Sequence, residues 1–456
     1  LQFGNYLKYN IKIFQLPTSI IQTKFKKMKN LFFILFINLF PAQHSWTLKQ
    51  CLDYASANHP LIKQSAVNIQ KNDRQISASK GILLPAIDAG INHNYNFGNG
   101  INQQNNQREA INTQTDNLYA QANWELMNWR NYLNISLSKI NKESSIFKMK
   151  QAQNEVKLNV ITMFFTYQNS KSWLEVLETQ LSGIEEQIKR TEKEVEIGNR
   201  PKSDIYDIKA NLGTMQEQWV SAKNSRDLSK INLLNALAIT KDTLDFTMTE
   251  ENLASSNFND ANFIQNLLEK NPAYQTTLAE IKAQQKNVEL AKSAYLPTLN
   301  GSYTWSSFYN KILGQPASAN FSDQIKTNKN QQLGFGLNIP IFNKLQVKNN
   351  VEIAKLNVIN SNYDKDIVIN NLTQSINSIK AQFLNAQEKY NLLEANFENQ
   401  RLSFQKSEEK YKEGLMDAYT FFVVRNGWLQ ANYNLINSKN DVVQQTELLK
   451  VFEAGF

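Results

Sequence analysis

One cysteine and three histidines stand among 456 residues. A single Cys51 excludes an intrachain disulfide. Its context "LKQC" lacks the small residues that precede a lipidated cysteine, so Cys51 reads as a buried apolar residue. His44, His59 and His93 are too scattered for a histidine-rich metal cluster or a Ser-His-Asp site. No glycine-rich phosphate loop with its lysine and no G-x-S-x-G elbow occurs. Acidic residues are plentiful, but most fall on helical patterns as solvated faces. The expectation is a protein that is not an enzyme and holds no cofactor.

Acidic residues are missing altogether from residues 1–43, which carry six lysines. Without that leader the formal net charge falls from +8 to +2, so the basic excess is no argument for binding nucleic acid. The leader has its own physical reading. Met28 opens "MKN", the apolar run Leu31–Phe40 follows, and "PAQHSW" comes next. A run of ten residues is too short to span a bilayer as a helix, which takes about 20. A basic start, a short apolar core and a small-residue exit predict a secretory signal peptide over 28–43; Ala42 is a candidate for the last residue before cleavage, although bulky Phe40 sits badly two residues before it. Residues 1–27 begin without Met and read as an upstream extension.

Proline is absent from residues 86–200 and again from 341–456. Proline breaks helix interiors, so these are the stretches where very long helices are allowed. The remaining prolines mark an internal repeat. "CLDYASANHPLIKQ" resembles "FIQNLLEKNPAYQ", and "ASKGILLPAIDAG" resembles "LAKSAYLPTLNGS"; Pro60 to Pro272 and Pro85 to Pro297 are both 212 positions apart. "WELMN" matches "IPIFN" at an offset of 215, and "EVEIGNRPKSD" matches "KYKEGLMDAYT", with Gly198 and Gly414 offset by 216. Such a unit is half the chain, which means duplication of a whole half rather than a solenoid. The halves are expected at 44–262 and 263–456.

Each half carries two segments that alternate apolar and polar residues with period two. In "AIDAGINHNYNF" Ile87, Ala89, Ile91, His93, Tyr95 and Phe97 oppose Asp88, Gly90, Asn92, Asn94 and Asn96. The pattern predicts strands at about 86–97, 116–127, 298–309 and 331–342. A half-apolar strand of this length fits an antiparallel sheet over a soluble core, and it fits a transmembrane barrel equally well. The long helices favour the barrel. Ile369, Leu372, Ile376, Ile379, Phe383, Ala386, Tyr390, Leu393 and Phe397 recur at alternating spacings of three and four. Leu174, Leu177, Leu181, Ile184 and Ile188 do the same, as do Ile205, Ile208, Leu212, Met215, Trp219 and Ala222. Sustained heptads mean coiled-coil packing, and a helix from 129 to 197 would reach ~100 Å at about 1.5 Å per residue.

Taken together, the proline-marked short helices, two-faced strands and glycine-tipped hairpins, all in duplicate, resemble the TolC-like outer-membrane efflux proteins. The resemblance covers residues from about Thr47 to Phe452. It implies an α+β membrane protein: long antiparallel coiled-coil hairpins forming an α-barrel, and four transmembrane strands per protomer completing a 12-stranded β-barrel in a homotrimer. Trimeric closure also removes the open strand edges that lipid does not tolerate. The implied function is the outer-membrane exit duct of a tripartite efflux or type I secretion system. The implied partners are a periplasmic adaptor, an inner-membrane pump and outer-membrane lipid, in a Gram-negative envelope.

The resemblance further implies roles for particular residues. Gly198, Asn199 and Arg200, with Gly414, Leu415 and Met416, would form the periplasmic hairpin tips that dock the adaptor. Asp204 and Asp207 stand six and nine past Gly198, where the family carries acids lining the closed entrance. The same offsets from Gly414 hold Thr420 and Val423, with Asp417 the nearby acid, so the second hairpin departs from a strongly cation-binding ring. Tyr411 matches a gating tyrosine. Asn92, Asn94 and Asn96 would face a water-filled lumen, while His93 would lie on the lipid side as an amphipathic interfacial ring. Residues 98–115 and 310–330 would be extracellular loops. Two other readings remain: a periplasmic adaptor, which needs one hairpin flanked by compact β-domains where this chain has two hairpins, and an envelope-spanning spacer with a plugged barrel.

Overall fold

The computed structural model describes residues 45–102, 106–240, 244–248 and 263–453. The upstream extension and signal peptide expected at 1–43 lie outside the described residues. The first half runs β1 (Ser45–Trp46), α1 (Leu48–Asn58), α2 (Pro60–Gly81), β2 (Ala86–Asn96), a small pair β3 (Asn99–Ile101) and β4 (Arg108–Ala110), β5 (Thr113–Met127), α3 (Trp129–Glu196) and α4 (Ser203–Ala236). The second runs β6 (Asp245–Phe246), α5 (Phe263–Lys270), α6 (Pro272–Ser293), β7 (Thr298–Ile312), α7 (Phe321–Thr327), β8 (Asn330–Asn338), α8 (Gln346–Lys412) and α9 (Ala418–Glu453).

The duplication extends to the helix caps. Helices α2 and α6 both have 22 residues and proline in the first turn. Asn271 Oδ1 accepts the Ala273 amide at 2.9 Å, and His59 Nδ1 accepts the Leu61 amide at 3.2 Å. The imidazole nitrogen thus supplies the same acceptor as the asparagine oxygen, which is why His-Pro replaces Asn-Pro in the first half.

Helices α3 and α8 have 68 and 67 residues, each spanning ~100 Å. Their heptad residues point where the spacing predicts. Leu174, Leu177 and Ile184 of α3 share one buried cluster with Ile208, Met215 and Ala222 of α4. Tyr411, Phe421, Phe422 and Leu429 of the second hairpin enter that same cluster, so the hairpins pack on each other as well as internally. Phe383 and Ala386 of α8 pack against Val442 and Leu449 of α9. A third cluster holds Cys51, Phe164, Phe165, Tyr167 and Phe246 at mid-length. Cys51 is 0% exposed, and burial pushes its thiol pKa up to about 12. Beside it the two-residue strands β1 and β6 pair in parallel, a join too short to leave a sequence pattern.

The four long strands form one antiparallel sheet in the order β2-β5-β7-β8. Strand β5 begins before the expected 116 and β7 continues past the expected 309, because Thr113–Thr115 pair with Asn310–Ile312. Strand β8 stops at Asn338 instead of reaching 342. Pro340 has no amide for the ladder and restricts Ile339 before it. The stretches expected as plain loops carry structure: 98–115 holds β3 and β4, and 310–330 holds α7. Ser307 Oγ donates to the Ile325 carbonyl at 2.7 Å, and the Tyr309 and Phe321 rings lie 5.2 Å apart, which seats α7 on the end of β7.

Candidate functional site

The ladder register sorts residues by face across the whole sheet. Asp88, Gln121, Thr304 and Gln332 form one cross-strand row. The adjacent row is Ile87, Ala122, Tyr303 and Leu333. Side chains alternate along each strand, so these rows point to opposite faces. Asn92, Asn94 and Asn96 share the polar face. The other face is apolar and open: Ile87 is 76% exposed and Phe335 68%. Exposed Ile87, Ile91, Leu333, Phe335 and Leu337 on the outer strands, with Trp124 and Tyr303 on the inner ones, have no covering partner among the described residues, a patch far larger than an isolated surface residue. Among the described residues, the outermost strands β2 and β8 also leave their outer edges unpaired.

His93 lies on the apolar face, its ring 4.8 Å from that of Tyr95. Sequence reading missed its cross-strand neighbour: Asp116 pairs with His93 in register, and its carboxylate contacts His93 Nδ1. Asp116 is the acid that breaks the apolar alternation of β5, and that break was the available signal.

At the far end of the hairpins both tips are glycine turns. Gly198 has φ +78° and Gly414 φ +75°. The Asn199 amide donates to the Glu194 carbonyl at 2.8 Å, and the Leu415 amide to the Lys410 carbonyl at 2.8 Å, closing each helix in the same way. Asn199, Leu415 and Gly414 are exposed, while Met416 is half-buried against the hairpin core. Asp417 caps α9: its carboxylate accepts the Thr420 amide at 2.8 Å and the Thr420 hydroxyl at 2.7 Å. Those bonds hold its carboxyl below the usual carboxylate range. Thr420 and Val423 are exposed one turn apart, and Asp207 is exposed on α4.

Arg200 is not a free side chain at the tip. Its Nε lies 2.6 Å from Glu194 Oε2 and its Nη1 3.5 Å from Asp204 Oδ2. The guanidinium then crosses to the second hairpin, 4.3 Å from the Tyr411 ring centroid, and Nη2 donates to the Tyr411 carbonyl at 3.1 Å. Tyr411 is buried, stacked on Phe421 at 4.6 Å. Arg200, Asp204 and Tyr411 are therefore brought together, while Asp207, Thr420 and Val423 stand apart from them.

The sequence pattern of the family described as "Outer membrane efflux protein" matches residues 51–238 and 263–451. The chain belongs to the outer membrane efflux protein family. Its place is the outer membrane, with the hairpins extending through the periplasm. It is similar to the outer membrane protein TolC of Vibrio cholerae, 21% identical over 303 residues, a match covering 65% of either chain and so just under two thirds of that relative. TolC of Escherichia coli is 22% identical over 377 residues, covering 77% of this chain and 73% of that one. In three dimensions the fold resembles the CmeC outer membrane channel of Campylobacter jejuni, with TM-score 0.74 and 19% identity, covering 90% of this chain and 86% of that chain. It also resembles the MtrE outer membrane channel of Neisseria gonorrhoeae in its open state, with TM-score 0.72 and 15% identity, covering 90% and 88%. CmeC and MtrE are described as outer membrane channels. The outer membrane efflux fold accounts for both the two-faced sheet and the pair of long hairpins.

Proposed function

We propose that three copies of this chain assemble into a passive exit duct, which receives substrate from an inner-membrane pump through a periplasmic adaptor. The observation that carries this reading is the sheet. It has an apolar face, a polar face and two edges unpaired among the described residues, and four strands cannot close around a pore. Three sheets joined edge to edge, β8 of one copy beside β2 of the next, would put the apolar rows toward lipid and Asn92, Asn94 and Asn96 toward water. Each copy contributes two equivalent halves, 44–262 and 263–456.

In this reading the exposed tip residues Gly198, Asn199, Gly414 and Leu415 meet the adaptor, and Asp207, Thr420 and Val423 line the entrance. Arg200, Asp204 and Tyr411 hold the two hairpins of one copy together, which keeps the entrance narrow. Asp417 starts α9 and so aims Thr420 and Val423. The duct performs no chemistry and needs no cofactor.

The experiment is cross-linking from cysteines placed at Asn199 or Leu415 to a co-expressed adaptor. An adduct at either tip is expected; none at both would remove the docking role. A structural spacer with a plugged barrel is separated from the duct by conductance in planar bilayers.

A further inference from the structure

Arg425 sits on α9, one turn beyond Phe421, and reaches across to the first hairpin. It is 8% exposed, and its Nη2 donates to the Gln180 carbonyl at 3.1 Å. Gly183 leaves the room for it: a Cβ there would stand 2.7 Å from Nη2. Among the described residues no carboxylate lies within 4.0 Å of the Arg425 guanidinium. Burial pulls its pKa down to about 10 against the opposing field of Glu408, so the group stays charged at neutral pH.

A cleft of about 300 Å³ opens beside it, between α3, α8 and α9. Arg425, Tyr411, Arg190, Lys412, Glu186 and Glu408 are on its wall. Two of the three cations are already matched. Lys412 Nζ is 3.0 Å from Glu408, and Arg190 Nε is 3.0 Å from Glu194. Glu186 is exposed. Tyr411 is 5% exposed, and among the described residues its hydroxyl has no hydrogen-bond partner. One cleft therefore holds a buried cation without an acid and a buried hydroxyl without an acceptor. Buried groups of both kinds are ordinarily paired. Both are donors, and a single negatively charged acceptor satisfies both.

We propose that this cleft is an anion site, taking one small inorganic oxyanion of phosphate size between the Arg425 guanidinium and the Tyr411 hydroxyl. The planar fork of arginine suits two oxygens of such an ion, and the tyrosine donates to a third. The site spans both hairpins, with Gln180 and Gly183 on the first and Tyr411 and Arg425 on the second. An ion bound there stabilises the packed arrangement of the hairpins over any arrangement that separates them. The site rests on side-chain geometry alone and stands whether or not the duct reading does.

The test uses the full-length chain, purified in detergent. Melting midpoints are recorded across inorganic phosphate at constant ionic strength, and crystals are soaked in selenate for its anomalous signal. The wild type shows a saturable rise in midpoint at millimolar phosphate and a selenate peak between Arg425 and Tyr411. Arg425→Gln loses both. Tyr411→Phe gives opposite signs: without phosphate it melts at or above the wild-type midpoint, because an unbonded buried hydroxyl is gone. Its phosphate affinity nonetheless falls about tenfold or more, the loss expected for one hydrogen bond to a charged group. Should Arg425→Gln not fold, Tyr411→Phe carries the test by itself. The proposal is overturned by no selenate peak, by a peak that survives Arg425→Gln, or by equal phosphate affinity in Tyr411→Phe and wild type. Density showing a protein carboxylate in the cleft, from Glu408 or from another copy, overturns it as well.

Discussion

The Arg200 guanidinium lies 4.3 Å from the centroid of the Tyr411 ring and donates to the Tyr411 carbonyl at 3.1 Å. These residues belong to different hairpins, and Arg200 reaches Tyr411 while still paired with Glu194 at 2.6 Å. The contact is a clasp at the narrow end of the protomer. Arg200→Ala removes a cation–π contact and a charged hydrogen bond from a side chain only 12% exposed. Glu194 keeps Arg190 as a partner, which limits the penalty. The expected loss is roughly 1–3 kcal/mol of hairpin docking, read as faster amide exchange around Phe421 and Phe422 with the barrel unaffected. Unchanged exchange there would mean that the clasp holds nothing.

The two tip glycines predict a contrast with a third. Gly198 and Gly414 have positive φ, where a side chain is strained. Alanine at either is expected to destabilise the chain by about 1 kcal/mol or more. Gly213 lies inside α4, and a Cβ there meets nothing within 4 Å. Gly213→Ala should stabilise by up to about 1 kcal/mol through helix propensity. Thermal melts of the three variants decide the matter. A destabilised Gly213→Ala would place that residue against a neighbouring copy.

The face assignment predicts labelling. Cysteines replacing Asn92, Asn94 or Asn96 should react with a membrane-impermeant maleimide, while those replacing Ile91 or Tyr95 should be shielded by lipid. Native Cys51 needs no removal, being 0% exposed with its thiol pKa pushed up. The inverse labelling pattern would mean that the polar face meets lipid.

The same rows predict which charges the sheet tolerates. Lysine replacing Leu333 on the apolar face should destabilise the assembled barrel by about 2–4 kcal/mol at mid-depth. Lysine replacing Gln332, its neighbour on the polar face, should change stability by less than about 1 kcal/mol. Equal effects would argue against a lipid-facing side.

Much of this architecture was legible because it is periodic. Isoleucines at 87 and 91 and leucines at 333 and 337 declare a face by spacing alone, and the register of the sheet keeps that face across four strands. The proline-free stretches and the glycines at 198 and 414 located the long helices and their turns for the same local reason. Strand ends were less legible: Pro340 ended β8 early although the alternation continues through Ile341. What could not be read was contact between elements far apart in the chain. Arg425 meets Gln180 across 245 positions, and Arg200 meets Tyr411 across 211. Such pairs depend on the rotational phase of two long helices, which no local pattern encodes. Asp116 was visible as an exception on an apolar face, but its meeting with His93 depended on strand register.

Conductance across a planar bilayer is the most direct test of the duct. Purified assembled protein should insert and pass small, stable current steps, and Arg200→Ala should enlarge those steps by loosening the clasp. Protein that inserts yet passes no current, as wild type, as Arg200→Ala and with substitutions at Asp204 and Thr420, would contradict the account and leave a plugged envelope spacer in its place.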